Sequence, residues 1–291
     1  MLTLRVVSDQ PNIAGSVPQP RSNLAVRLGT VGVLGPLVLV LLFWGPVWGW
    51  AAFIGLSAAV SARELLGMTH PRDGLSRWVG SALTLLLAYA SYNALGDPRL
   101  FFTVVVVVIV TSALLPLFRL GELPTAALRT LGGMSAPFYV AVLLMTLAML
   151  RRDQGELGPR FVFLTLTIAW MGDTGGYTLG RTIGKTPLYP AVSPKKTREG
   201  LLGSVLFSTA VSVIASLTYL SGQLRTLDAA LLGFAGALLG QSGDLVESLI
   251  KRSTGVKDSG SLLPGHGGLL DRIDALLVVS PLVYLYTLWL A

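Results

Sequence analysis

The sequence predicts an all-α, polytopic membrane protein of about nine transmembrane helices, with its N-terminus cytoplasmic and a polar cavity facing the cytoplasm. Three observations carry that prediction. Of 291 residues, 52% are hydrophobic and 13% charged, with a mean hydropathy of +0.67; ordinary soluble domains carry about 25% charged residues. The apolar residues fall into nine stretches, each approaching the roughly 17 to 25 residues that a helix needs to cross the hydrocarbon core. The cations alternate from loop to loop, as they do when loops lie on opposite sides of a bilayer.

The stretches run from Leu28 to Trp44, Val47 to Ala62, Trp78 to Ala94, Leu100 to Leu117 and Leu131 to Leu150, then Phe161 to Gly180, Leu201 to Leu220, Ala229 to Ile250 and Leu269 to Leu290. With that count, one side holds Arg5, Arg21 and Arg27 of the N-terminal segment and Arg63, Arg72 and Arg77 of the second-to-third loop. It also holds Arg119 and Arg129 of the fourth-to-fifth loop and Arg181, Lys185, Lys195, Lys196 and Arg198 of the sixth-to-seventh. Lys251, Arg252, Lys257 and Arg272 complete the set, 17 of the 22 Lys and Arg, leaving Arg99, Arg151, Arg152, Arg160 and Arg225 opposite. The cation-rich side is therefore read as cytoplasmic, in the cell (inner or plasma) membrane, with the C-terminus outside. The same charges serve as topology signal and as attraction for anionic headgroups. With no cysteine, thiolate chemistry and Cys-ligated zinc are excluded.

Residues 1–27 read as a cytoplasmic tail rather than a signal peptide, because they lack a sustained apolar core. Residues 28–160 read as scaffold: Val104 to Val110 is nearly all valine and isoleucine, and Arg63 and Glu64 are expected to form an interfacial pair. Residues 161–291 read as the catalytic region, since Asp173, Asp244, Glu247, Asp271 and Asp274 all lie in or at the ends of apolar segments. A carboxylate there is costly unless it serves a site or pairs with a charge.

The most informative run is Ser248 to Asp274, S-L-I-K-R-S-T-G-V-K-D-S-G-S-L-L-P-G-H-G-G-L-L-D-R-I-D. Asp271 and Asp274, at i and i+3, share one helix face and fit a hard divalent cation such as Mg²⁺; Asp271 alone also fits a helix N-cap. Asp244, Ser248 and Lys251 recur on one face of the eighth stretch, with Glu247 alongside and open to a salt bridge with a neighbouring helix. The glycines from Gly265 to Gly268 let backbone amides approach a phosphate. Between them His266 fits a general acid, a phosphate donor or an interfacial residue equally well. Upstream, S-P-K-K-T-R-E-G, Ser193 to Gly200, offers Lys195 and Lys196 as a triphosphate cradle, although the Walker A order is absent and a plain basic loop would look similar. G-F-A-G-A, Gly233 to Ala237, suits close helix contact.

Together with W-M-G-D-T-G-G-Y (Trp170 to Tyr177) and G-D-L-V-E-S (Gly243 to Ser248), these motifs resemble the signature of the phosphatidate cytidylyltransferase family, the CDP-diacylglycerol synthases. The likeness covers most of Phe161 to Leu290. Arg198 stands where that family usually has an aromatic residue, and Gly176 where alanine is common. The resemblance implies transfer of the cytidylyl group of CTP to phosphatidic acid, giving CDP-diacylglycerol and pyrophosphate for phospholipid synthesis, with membrane lipids but no nucleic acid as partners. It also implies a homodimer. By that resemblance Asp244, Asp271 and Asp274 hold Mg²⁺, with K⁺ as a candidate second ion. Lys195, Lys196 and Lys257 would steady the triphosphate, Lys251 and Arg252 would engage the lipid phosphate, and the loop of His266 would close on the nucleotide. Ser193, Thr197, Glu199, Asp258, Gly265, Gly267, Gly268 and Arg272 complete the implied substrate-binding set. Two other readings stay open: a CTP-using enzyme of another lipid phosphate or a polyprenol, and a cation or proton transporter.

Overall fold

In the computed structural model, which describes residues 24–262 and 267–290, each apolar stretch is helical over most of its length. Their ends follow local chemistry. Helix α1 (Leu24–Trp44) stops before Pro46, whose missing N–H and fixed φ suit the start of α2 (Val47–Thr69). Asp73 caps α3 (Gly74–Asn93), accepting the Ser76 amide at 3.2 Å. Asp97 does the same for α4 (Pro98–Phe118) through Leu100 at 3.0 Å, with Pro98 in the first turn. Next comes a helical rod made of α5 (Ala126–Pro137), a π turn (Phe138–Val142) and α6 (Thr146–Asp153). Pro137 immediately precedes the π turn and has no N–H for the regular ladder. Helices α7 (Gly158–Thr182), α8 (Arg198–Leu217), α9 (Thr226–Ser253) and α10 (Leu270–Trp289) complete the bundle.

Six of the helical segments, Val47–Thr69, Pro98–Phe118, Leu123–Asp153, Arg198–Leu217, Thr226–Ser253 and Leu270–Trp289, are long and apolar enough to cross a membrane. The chain is an all-helical, polytopic integral membrane protein, save for one hairpin that the sequence reading left as loop. Its strands, β1 (Pro187–Tyr189) and β2 (Ser193–Thr197), pair antiparallel, with Pro187 opposite Thr197 and Tyr189 opposite Ser193. Residues 1–23, most of the expected N-terminal tail, lie outside the described residues.

Packing is closest where side chains are smallest. Helices α7 and α8 meet at Gly175 and Gly203, where a Cβ on either would strike the other's carbonyl. There Ser204 donates to the Gly172 carbonyl at 2.7 Å and Ser208 to that of Ile168 at 2.8 Å. Gly233 and Gly236, of the small-residue run, let α9 approach Ser208 and Thr209 of α8 and Ile168 of α7. Helix α10 runs through the middle, touching α2, α6, α7 and α9. The buried Trp50 ties α2 to α6 by donating to the Leu147 carbonyl at 3.2 Å. Helix α4 is the peripheral element: Val104 and Val108 are buried, while Val106, Val107, Ile109 and Val110 are exposed, as a lipid-facing helix requires.

Candidate functional site

The polar residues of α7, α9, α10 and the hairpin converge at one end of the bundle. On α9, Ser248 donates to Asp244 at 3.2 Å, one turn back, so the polar face anticipated from spacing exists. A strand points successive side chains in opposite directions; on β2, Lys195 is exposed while Lys196 reaches α9. The Lys196 ammonium pairs with Asp244 at 2.7 Å and donates to the Gln241 carbonyl at 3.4 Å.

Lys251, one turn beyond Glu247, makes the second junction. Its ammonium lies 2.6 Å from Asp271 Oδ1 and 3.0 Å from Glu247 Oε1, with all three side chains largely buried. The Glu247 carboxylate is buried, and Lys251 is its ion-pair partner. The cation that answers Glu247 thus belongs to its own helix, not to a neighbour.

Asp271 lies in the first turn of α10 but is not the N-cap; that position is Leu269. Its carboxylate instead organises the glycine loop, accepting the Ser259 amide at 3.0 Å and the Gly268 amide at 2.9 Å. With Lys251 added, the four lone-pair positions of Asp271 are nearly filled. Gly268 has no room for a side chain: a Cβ would lie 2.7 Å from Glu64 Oε2, 2.8 Å from the Gly260 nitrogen and closer still to Ser259 Oγ. Gly267 adopts φ +80° beside it.

The sequence reading did not assign Glu64 to this site. The structure brings it here from α2: Oε2 accepts the Leu270 amide at 2.8 Å, Oε1 accepts the Leu269 amide at 3.1 Å, and Ser259 Oγ donates to it at 3.4 Å. The expected pair with Arg63 does not form, because adjacent residues on a helix do not face each other. Arg63 lies over the Trp78 ring, 3.9 Å from its centroid. One signal was available: Val60 and Met68, four residues to either side of Glu64, offer no cation, so its partner had to come from far along the chain.

Other expected site residues lie toward the surface. Arg252, Lys257 and Asp258 are exposed, as is Arg272 beside the cluster, and Arg252 donates to the Val256 carbonyl at 3.3 Å. Thr197 caps α8 through the Gly200 amide at 3.1 Å, and Glu199 accepts the Lys185 and Thr186 amides at 3.1 and 3.2 Å, so both brace the root of the hairpin. Ser193 is half-buried at the start of β2. Gly265 and His266 lie outside the described residues.

Asp173 on α7, Asp244 on α9 and Asp274 on α10 lie within electrostatic reach of one another, with Lys196 and Arg272 near Asp173. Five carboxyl groups (Asp173, Asp244, Glu247, Asp271, Asp274) thus share this end of the bundle with three cations (Lys196, Lys251, Arg272). Their oxygens are the hard donors Mg²⁺ prefers. Among the described residues, no three acidic or histidine side chains are gathered closely enough to form a ligand set.

A model of the cytidylyltransferase family matches residues 25–290. The chain is also similar to proteins named phosphatidate cytidylyltransferase. The one from Staphylococcus epidermidis is 43% identical over 126 residues, 43% of this chain and 48% of that protein. That of Staphylococcus haemolyticus is 40% identical over 145 residues, 50% of this chain and 54% of its own length. That of Bacillus subtilis is 40% identical over 135 residues, 46% of this chain and 49% of its own length. The chain spans about half the length of the curated relatives it matches.

Proposed function

Because the chain belongs to the cytidylyltransferase family, we propose that it transfers the cytidylyl group of CTP to phosphatidic acid, forming CDP-diacylglycerol and pyrophosphate. The observation that carries this reading is the Lys251 junction. A cation is held between Glu247 and Asp271, beside Gly268, whose amide the same Asp271 accepts, where the end of α9 faces the start of α10. A site that must gather a triphosphate and a lipid phosphate needs such fixed positive charge.

In the reaction, an oxygen of the lipid phosphate attacks the α-phosphorus of CTP, a new P–O bond forms, and the bond to the pyrophosphate leaving group breaks. A phosphate monoester is already nucleophilic near neutral pH, so no dedicated general base is needed. Lys196 and Lys195 of β2 would steady the triphosphate, and Lys251 with Arg252 would hold the lipid phosphate. Lys251, which donates to Asp271, has further N–H groups to offer a ligand. Mg²⁺ would be held by Asp244, Asp271 and Asp274 beside Asp173, and K⁺ is proposed as a second ion. When bound, Mg²⁺ supplies screening of the phosphate charges. Nine spans, with the N-terminus and this site on the cytoplasmic side, would put the carboxylates where nucleotides are, and a homodimer is proposed with them.

The test is pyrophosphate release by the purified protein in liposomes containing phosphatidic acid, with CTP and Mg²⁺, against Asp271→Asn. The expected result is release that requires the lipid, CTP and the metal and collapses in the variant. A folded protein that releases nothing over a panel of lipid phosphates would overturn the proposal.

A further inference from the structure

A cavity of about 700 Å³ lies beside the carboxylate cluster rather than within it, between the ends of α2, α3, α4 and α5 and next to Thr254 at the end of α9. It opens at the same end of the bundle as the Lys251 junction, because Glu64 of α2 binds the start of α10 there. Three arginines line it, Arg72, Arg119 and Arg129, against two carboxylates, Asp73 and Glu122.

Arg129 gives the cavity its character. It is 7% exposed, and its guanidinium donates only to neutral oxygens: Thr125 Oγ1 at 3.2 Å and the carbonyls of Arg119 at 2.9 Å, Glu122 at 3.2 Å and Leu120. Among the described residues, no carboxylate comes within ion-pair distance of it. A buried charge without a counter-charge is costly, and an anion entering from outside would complete it. At the rim, Arg72 pairs with Glu122 at 3.0 Å and Arg119 with Asp73 at 3.2 Å. The first pair is open to solvent on both sides and the second on the arginine side, so these pairs are weak enough to yield to a stronger anion. The remaining walls include Met68, Pro71, Leu120 and Leu128, apolar surface suited to the glycerol and upper acyl atoms of a lipid.

We propose that this cavity is a second anion site, separate from the carboxylate cluster, which binds a phosphate-ester headgroup. The test uses native mass spectrometry of the full chain in detergent, with phosphatidylglycerol as the anionic probe and phosphatidylcholine as the zwitterionic reference. The expected results are selective retention of phosphatidylglycerol, about tenfold weaker retention in Arg119→Gln, and tighter retention in Glu122→Gln, which frees Arg72 without touching the core. A gain of affinity cannot come from misfolding. Arg252→Gln, at the lipid-phosphate position proposed for the carboxylate cluster, should retain the lipid as wild type does. Displacement by millimolar sn-glycerol 3-phosphate would identify a soluble phosphate ester as the occupant, and resistance to it would identify the lipid. Equal retention of both lipids, or retention sensitive to Arg252→Gln and indifferent to Arg119→Gln and Glu122→Gln, would overturn the proposal. None of these readouts depends on cytidylyl transfer, so the two proposals fail separately.

Discussion

Glu64 Oε2 accepts the amide of Leu270 at 2.8 Å, so a carboxylate of the second helix holds the first turn of the last. Helix starts leave N–H groups without intrahelical partners, and here an acid from across the bundle accepts two of them. Glu64→Ala should leave both amides wanting, at a cost of about 1–3 kcal/mol for each buried group. Turnover should fall at least tenfold, with less loss in Glu64→Gln, whose amide oxygen can still accept. Hydrogen exchange at Leu269 and Leu270 gives the direct reading; unchanged protection in Glu64→Ala would show that the carboxylate does not hold the turn.

Lys251 is the cation between two buried acids. Lys251→Met should lower stability by about 3–5 kcal/mol, because it strands Glu247 and Asp271 together without a counter-charge. Adding Glu247→Gln should recover part of that loss, since one of the stranded charges is then gone. Melting temperatures of the two variants in detergent measure both steps. If the double variant melts no higher than the single one, Glu247 is not the stranded partner.

Two glycines should respond oppositely to the same methyl group. At Gly268 a Cβ meets Glu64 Oε2 at 2.7 Å and the Gly260 backbone at 2.8 Å, so Gly268→Ala should displace the loop and abolish activity. At Gly67, inside α2, nothing lies within 4 Å, and Gly67→Ala should stabilise by about 0.4–1 kcal/mol through the unfolded chain. Paired activity and melting measurements test this; an active Gly268→Ala would mean that the loop has slack.

Acid should loosen the turn between α2 and α3 in two steps. Burial holds the His70 imidazole below its ordinary 6.5, with Arg129 and Arg77 adding to the effect and Asp73 opposing it. The unfolded chain therefore takes up the proton first. This contribution is complete above 6.5 and lost as the pH falls below it. Partial burial would raise Asp73, but hydrogen bonds from Ser76 and the Arg119 guanidinium outweigh it and bring the carboxyl from 3.8 to about 2. Its contribution is present above 3.8 and fades as the pH falls toward 2. His70→Gln should flatten the fall in melting temperature between about pH 7.5 and about pH 5. A wild-type melting temperature already flat across that window would contradict the first step.

What the sequence made legible follows from range. Apolar length is a local property, and every stretch identified by it is helical; so is the Asp244–Ser248 contact, one turn apart on α9. The small residues at Gly233 and Gly236 announced close packing for the same reason. The hairpin escaped notice because Pro187–Tyr189 and Ser193–Thr197 are too short and too polar to show an alternating pattern. The Lys251–Asp271 junction was in view as two residues with separate roles, since nothing local states that a helix end and the next helix start will face each other across 20 residues. Glu64 was hidden most deeply, its partners being 195 to 206 residues away.

That last separation also fixes an order of events during synthesis. Glu64 emerges from the ribosome while the loop it will hold is still untranslated, and α2 enters the membrane with that carboxylate unanswered. Only when the final apolar segment is released can the amides of Leu269 and Leu270 reach it. A chain arrested before α10 would therefore keep the preceding helices and none of the contacts by which Glu64 holds Leu269 and Leu270.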